Sequence, residues 1–426
     1  MPHSKRNSSG THWRRLCGAF AGFLATGAVA GNICIGAAHS DPNVFSARRG
    51  INLAAPFARV TREGPFTLPN QISAYHGLRR YFSPDVVGQL AAVGVQLVRL
   101  PVNPVVLLEN SGAARDNLLD ELMRAADEFT RTRIAVILDF HFWQPPDRTW
   151  TEETVLDGPS GAGFKIFSVI VGELAKRMAA RPHGTIALEF LNEPQLCRHG
   201  SGDDWLSLQR LLVADVRSIS AVLPVVVTGC GGQLDGLTAS KDFPFSDPNI
   251  IYTFHFYEPF VFTHQSVEKY YPLIRHLPYP ASSGSLDEAL TNVAAAAEEK
   301  GLVGMTGLLA REKAKIKVRR YFSMKTDISF IQRRFDEINS WANRIAVPSN
   351  RIFLGEFAAL ATPPNTTDND YEGRLRWVED VRRTAEAKGF SFAHWLYDDS
   401  RGPLIDPGKL SLHPRLGATL GFSSPP

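Results

Sequence analysis

The chain has 426 residues, 44% of them apolar and 21% charged, enough to build a sizeable core in one large domain or two ordinary ones. Its formal net charge of +3 rests on Lys5, Arg6, Arg14 and Arg15; without them 42 basic residues face 43 acidic ones. That balance offers no basic footprint for nucleic acid, so no nucleic-acid partner is expected.

Those four basic residues precede an apolar stretch from Leu16 to Ala30, with small residues at Ala28-Val29-Ala30 and Gly36-Ala37-Ala38. A basic region, an apolar region and a small-residue cleavage site predict a secretory signal over residues 1–38. The stretch is short for a membrane span, so no integral membrane association is expected after cleavage, and the mature chain is expected to be secreted or periplasmic. Arg14-Arg15 fits a twin-arginine signal weakly, which leaves the export route open.

From there strand-like and helix-like segments alternate to the end. Arg49–Leu53 opens the series as a strand. Ser83-Pro84 is an N-cap and first-turn pair whose helix stops at Gly94. Strand Val95–Leu100, helix Leu118–Arg131, strand Ile134–Phe140, helix Phe164–Ala180 and strand Ile186–Leu191 follow. Next come helix Trp205–Ala221 and strands Val225–Thr228 and Ile250–Phe256. Beyond a long connection lie strand Ile352–Leu354, helix Tyr371–Lys388 and strand Phe390–Leu396. Apolar runs this continuous belong to strands covered on both faces, as in a parallel sheet. Eight of them with intervening helices predict an α/β fold, a (β/α)8 barrel, as one domain over residues 45–426.

The connection between the sixth and seventh strands is too long for a barrel whose units average roughly thirty residues. Ser285 and Glu288 form a capping box before a helix over Ala289–Lys300, which Gly301 closes. Phe330, Ile331, Phe335, Ile338, Trp341 and Ile345 mark the inner face of the regular barrel helix. Residues 265–325 therefore read as a small helical insertion over the face that carries the site. Its basic run Arg311–Arg320 is either a solvated helix face or a contact for acidic polysaccharide or an envelope surface. Its aromatics Tyr270, Tyr271, Tyr279, Tyr321 and Phe322 either stack on sugar rings or pack a core of their own.

Polar residues fall at the strand ends, where a barrel places its chemistry. Arg99 closes the second strand and His141 the third. Asn192 and Glu193 close the fourth, in Leu188-Glu-Phe-Leu-Asn-Glu-Pro194. His255 and Tyr257 close the sixth and share a face. Glu356 closes the seventh, in Arg351-Ile-Phe-Leu-Gly-Glu-Phe357, and Trp395 the eighth. An apolar run ending abruptly in a glutamate is costly as mere structure. Two such glutamates suit glycosidic bond cleavage: one protonates the leaving oxygen and the other meets the developing positive charge. Asp139 and Glu189 lie deeper in their strands and read as structural. Cys197 and Cys230 follow adjacent strands and are either a disulfide or two buried thiols.

In this order the eight positions resemble glycoside hydrolase family 5, the cellulase and mannanase family of the retaining barrel clan. Gly50-Ile-Asn52 fits as well, and the resemblance runs from about residue 45 to the C-terminus. The insertion, with Phe260-Val-Phe-Thr-His-Gln265, is similar to some bacterial endo-β-1,4-glucanases of the family. The resemblance implies that Glu193 is the general acid/base and Glu356 the nucleophile, with Arg99 and Tyr257 favouring the charged form of Glu356. It further implies that Asn192 and His141 bind substrate hydroxyls, that His255 orients Glu193 and that Trp395 supports the sugar ring. Trp143, Trp150, Tyr397 and Asp398 are candidate contacts at outer subsites. The expected partner is a β-glucan oligo- or polysaccharide, handled by a monomer without metal or organic cofactor. Mannan, xyloglucan, exo-action and an inactive carbohydrate-binding barrel stay open, because loops decide among them.

Overall fold

The computed structural model describes residue 45 and residues 49–53, 84–142, 150–197, 205–239, 245–360, 367–395, 405–406 and 411–423. Trp143, Tyr397, Asp398 and the expected signal over residues 1–38 lie outside the described residues. Eight strands, β1 (Arg49–Asn52), β2 (Leu97–Val102), β3 (Ala135–Phe140), β4 (Ile186–Glu189), β5 (Val225–Gln233), β6 (Ile250–His255), β7 (Ile352–Glu356) and β8 (Ser391–His394), close into a barrel in chain order. Every neighbouring pair is parallel, including β8 against β1.

Helices α1 (Pro84–Ala92), α2 (Ala113–Arg131), α3 (Ala162–Ala179), α4 (Trp205–Ile219) and α5 (Leu234–Ala239) return the chain between successive strands. Their apolar stripes pack on the outside of the sheet in one contiguous core. Inside the barrel, Leu97, Ile137, Ala187, Val226, Ile251, Phe353 and Ala393 form a separate buried layer, one residue from each of seven strands. Because strand side chains alternate, residues two positions further along point inward as well. On β2, β3 and β4 these are Arg99, Asp139 and Glu189.

Between β6 and β7 run α6 (Leu286–Glu299), α7 (Gly304–Ser323) and α8 (Ile328–Arg344). Ser285 caps α6 by accepting the Glu288 N–H at 3.1 Å, and Asp327 caps α8 by accepting from Ser329 and Phe330. Tyr279 and Tyr321 are fully buried, Tyr271 and Phe322 pack against the same core, and Tyr270 is exposed. The insertion aromatics thus mostly hold their own fold. After β7, α9 (Asp368–Lys388) opens on a Thr367–Asp370 capping box and closes at Gly389, whose φ of 77° is the left-handed cap.

Candidate active site

Arg99 is the fully buried hub of the site. Its Nε and Nη2 donate to the two oxygens of Glu189, each at 2.8 Å. Its Nη1 donates to Asn52 Oδ1 at 2.9 Å and to Glu356 Oε1 at 3.0 Å, while Nη2 also reaches Asn192 Oδ1 at 2.9 Å. Asp139 Oδ2 stands 2.9 Å from Nη2 but off the direction of its N–H bonds, an ion contact without a hydrogen bond. Burial opposes the guanidinium charge, yet Asp139, Glu189 and Glu356 hold its pKa well above the ordinary arginine value. One cation faces three buried carboxyl groups, and burial outweighs Arg99 at Asp139, whose pKa is pushed up to about 7. Below that pH Asp139 carries a proton, which limits the excess of negative charge under the site.

Glu356 is held on both oxygens, Oε1 by Arg99 and Oε2 by the Tyr257 hydroxyl at 2.8 Å. It reaches inward although the β7 parity set by Phe353 would aim Gly355 there, because the β6–β7 register shifts between Phe254 and His255. Gly355 is required at that step: a Cβ would sit 2.6 Å from Thr253 Oγ1. Burial, followed by the Glu356 charge, lifts the Tyr257 hydroxyl well above the ordinary phenol range, so it remains a donor.

Glu193 has the opposite surroundings. β4 ends at Glu189, earlier than predicted, so Asn192 and Glu193 stand on the loop beyond it. The Glu193 side chain is 31% exposed where that of Glu356 is 5%. Its Oε1 accepts from Gln233 Nε2 at 3.0 Å and lies 2.7 Å from His255 Nδ1. Burial raises the Glu193 pKa against the pull of His141, Arg99 and Gln233. Burial also takes His255 down to about 4, leaving a neutral ring able to accept from the protonated acid or donate to the carboxylate.

Glu193, Glu356 and His255 each present one ligand atom within 4.8 Å of the others. Those three donors are also a cation-binding trio in principle, but Arg99, Tyr257 and Gln233 already engage their oxygens. His141 completes the floor: its Nε2 lies 3.3 Å from Asn192 Nδ2 and its ring stacks on Trp395 at 5.8 Å. All eight strand-end positions therefore converge. Trp150 is half-buried against the apolar core.

Gln233 and its approach are what sequence reasoning missed. β5 continues past Thr228 through Gly229-Cys-Gly-Gly-Gln233, with Gly231 and Gly232 at φ of 70° and 67°. A Cβ on Gly232 would lie 2.7 Å from Glu193 Cγ and 3.3 Å from the Asn192 carbonyl oxygen, so the missing side chain makes room for the acid. The paired glycines were the available signal. Cys197 and Cys230 form a disulfide with Cα atoms 5.7 Å apart, resolving the open alternative. With the Gly231 N–H donating to Pro194 O at 2.7 Å, it ties the Glu193 loop to β5.

Comparison with known proteins agrees with this geometry. Endoglucanase 3 of Fibrobacter succinogenes is 23% identical over 336 residues, covering 75% of this chain and 46% of that protein. Endoglucanase C of Acetivibrio thermocellus is 25% identical over 366 residues, 83% of this chain and 92% of that one. The chain thus spans less than half the length of the first relative and most of the second. A crystal structure of a hyperthermophilic endo-β-1,4-glucanase in complex with substrate superposes with a TM-score of 0.60 at 20% identity, covering 89% of this chain and 98% of that one. Residues 74–400 match the family model described as cellulase, glycosyl hydrolase family 5, so the chain belongs to that family and is a glycoside hydrolase.

Proposed function

We propose that the chain is a retaining endo-acting hydrolase of β-1,4-linked glucan, with Glu356 as nucleophile and Glu193 as general acid/base. The observation that carries this is the pair of unlike carboxyl groups sharing a 4.8 Å cluster with His255. A retaining enzyme keeps its two carboxyl groups about 5–5.5 Å apart, whereas inversion needs about 6.5–9.5 Å to admit a water. Glu356, held by Arg99 and Tyr257, attacks the anomeric carbon while Glu193 gives its proton to the departing oxygen. Glu193 then takes a proton from water, which displaces Glu356 from the glycosyl ester. Gln233 and His255 keep the Glu193 carboxyl in place through both steps. Asn192 and His141 bind hydroxyls of the sugar at the cleavage point, and Trp395 presents its face to the ring.

Glucan as substrate is supported by family membership and by the names of the relatives. The single catalytic domain over residues 45–426, the expected signal, secretion and a monomeric state belong to the same proposal. Among the described residues no helix is long and apolar enough to cross a membrane. The test is hydrolysis of carboxymethylcellulose and mixed-linkage β-glucan, with product anomers followed by NMR. β-Anomer released first and a spread of oligosaccharides are expected; α-anomer first rules out retention, and a single mono- or disaccharide from the outset rules out endo-action. Glu356→Gln abolishes turnover of every substrate. Glu193→Gln abolishes polymer hydrolysis yet keeps the glycosylation step with an activated aryl leaving group; equal loss on both substrates overturns the role assignment.

A further inference from the structure

Helix α7 turns an apolar stripe outward. Its inner face, Gly307, Ala314, Val318 and Tyr321, is buried. On the opposite side Met305, Leu308, Leu309 and Ile316 are 45–69% exposed, spaced at helical intervals along about 16 Å. Val303, at the N-cap, is 82% exposed. Exposed aliphatic residues are unremarkable singly, but four on one stripe form a patch.

Charge frames the patch on both sides. At 100° per residue Lys315 flanks it on one edge and Lys313 and Arg320 on the other, while Arg319 falls within its span toward the C-terminal end. The helix carries six basic residues and one acidic one, Glu312, which lies within the stripe and pairs with Lys315 at 2.9 Å. Among the described residues that is the one ion pair offsetting the helix charge, and Lys317 lies over the Tyr271 ring at 5.3 Å.

From this arrangement we infer that α7 docks the enzyme onto a bilayer surface bearing anionic headgroups. The aliphatic side chains enter the boundary between headgroups and acyl chains, and the flanking cations extend to the phosphates. A hydrated acidic polysaccharide offers nothing to Met305, Leu309 or Ile316, and the stripe has no aromatic ring to stack on sugar. A second copy would bring two such cationic helices against each other. Only an anionic lipid surface matches both the apolar centre and the charged edges. The inference stands apart from the catalytic roles, since none of these residues touches the site.

The experiment is co-sedimentation of the full chain with phosphatidylcholine vesicles, with and without phosphatidylglycerol, at two salt concentrations. Binding to the anionic vesicles that weakens with salt is expected, with little binding to phosphatidylcholine alone. Each cation near an anionic surface contributes about fivefold to partitioning, so Lys313→Gln with Arg320→Gln lowers it about 25-fold. Leu309→Gln with Ile316→Gln lowers it about tenfold or more through lost apolar burial. Soluble-substrate hydrolysis stays unchanged in both variants, which shows that they fold. The N-terminal apolar stretch Leu16–Ala30 would partition too, so Ile316→Trp supplies a local reporter whose emission shifts to the blue on anionic vesicles. The inference is overturned by an unshifted reporter, by equal binding to soluble polygalacturonate, or by a dimer in solution that Ile316→Gln dissociates.

Discussion

Gly232→Ala is the sharpest single-atom test of how the acid is positioned. Gly232 sits at φ 67°, where an L-residue costs roughly 1–2 kcal/mol. The added methyl would stand 2.7 Å from Glu193 Cγ, 3.2 Å from Glu193 Cα and 3.3 Å from Asn192 O. Two of these neighbours are backbone atoms on a loop held by the Cys197–Cys230 disulfide and the Gly231–Pro194 hydrogen bond, so they yield little. Restoring even a 3.4 Å contact requires Cγ to retreat by 0.7 Å, and the carboxyl group moves with it. A displacement of that order from a reacting atom costs about 100-fold in rate. The expected result is a folded protein, destabilised by roughly 1–3 kcal/mol in denaturant unfolding, with kcat on polymer down about 100-fold. The kcat/KM for an activated aryl glycoside, which reports its glycosylation step, falls much less, because that step needs little proton donation. Wild-type kcat on polymer in a folded Gly232→Ala protein would refute the claim that the glycine's missing side chain places the acid.

Gln233→Leu removes a donor that favours ionised Glu193, so the Glu193 pKa rises and the basic limb of the kcat/KM–pH profile moves to higher pH; an unmoved limb refutes Gln233 as a positioning residue. Replacing Cys197 and Cys230 by Ser opens a loop with a separation of 33 residues. Loop-closure entropy puts the loss at roughly 3.5–4 kcal/mol in unfolding free energy, and a loss under about 1 kcal/mol contradicts it. His255, buried at a pKa of about 4, refuses a proton that the unfolded chain accepts below its ordinary 6.5. Its contribution therefore lowers stability as pH falls from 6.5 to 4, by up to about 3 kcal/mol. Asp139, raised to about 7, acts in the opposite sense over an overlapping range, so the comparison is wild type against His255→Gln. The variant is expected to show a shallower loss in urea unfolding; equal slopes refute the assignment.

Sequence alone determined the barrel and the roster of its rim. Eight apolar runs with helical stripes between them admit little besides a closed parallel sheet, and period-two alternation fixes which strand residues face inward. Arg99, Asp139 and Glu189 could thus be placed from the β-strand pattern, and the glutamates stood out because an apolar run gives a carboxylate no structural reason to end it. What sequence could not supply was convergence between chains of residues far apart. Gln233 enters the site because β5 runs five residues beyond its apolar stretch; the paired glycines mark an unusual backbone there, but nothing local tells that it carries Gln233 to Glu193. Glu356 points inward through a register shift between two strands about a hundred residues apart, a property of their pairing rather than of either strand. The difference in setting is likewise tertiary: Glu193 and Glu356 are the same side chain, and only Arg99 and the Tyr257 hydroxyl on one, and Gln233 and His255 on the other, set them apart. The outward stripe of α7 was visible as a basic run, but whether its aliphatic residues faced core or solvent depended on which side of the helix the insertion buried.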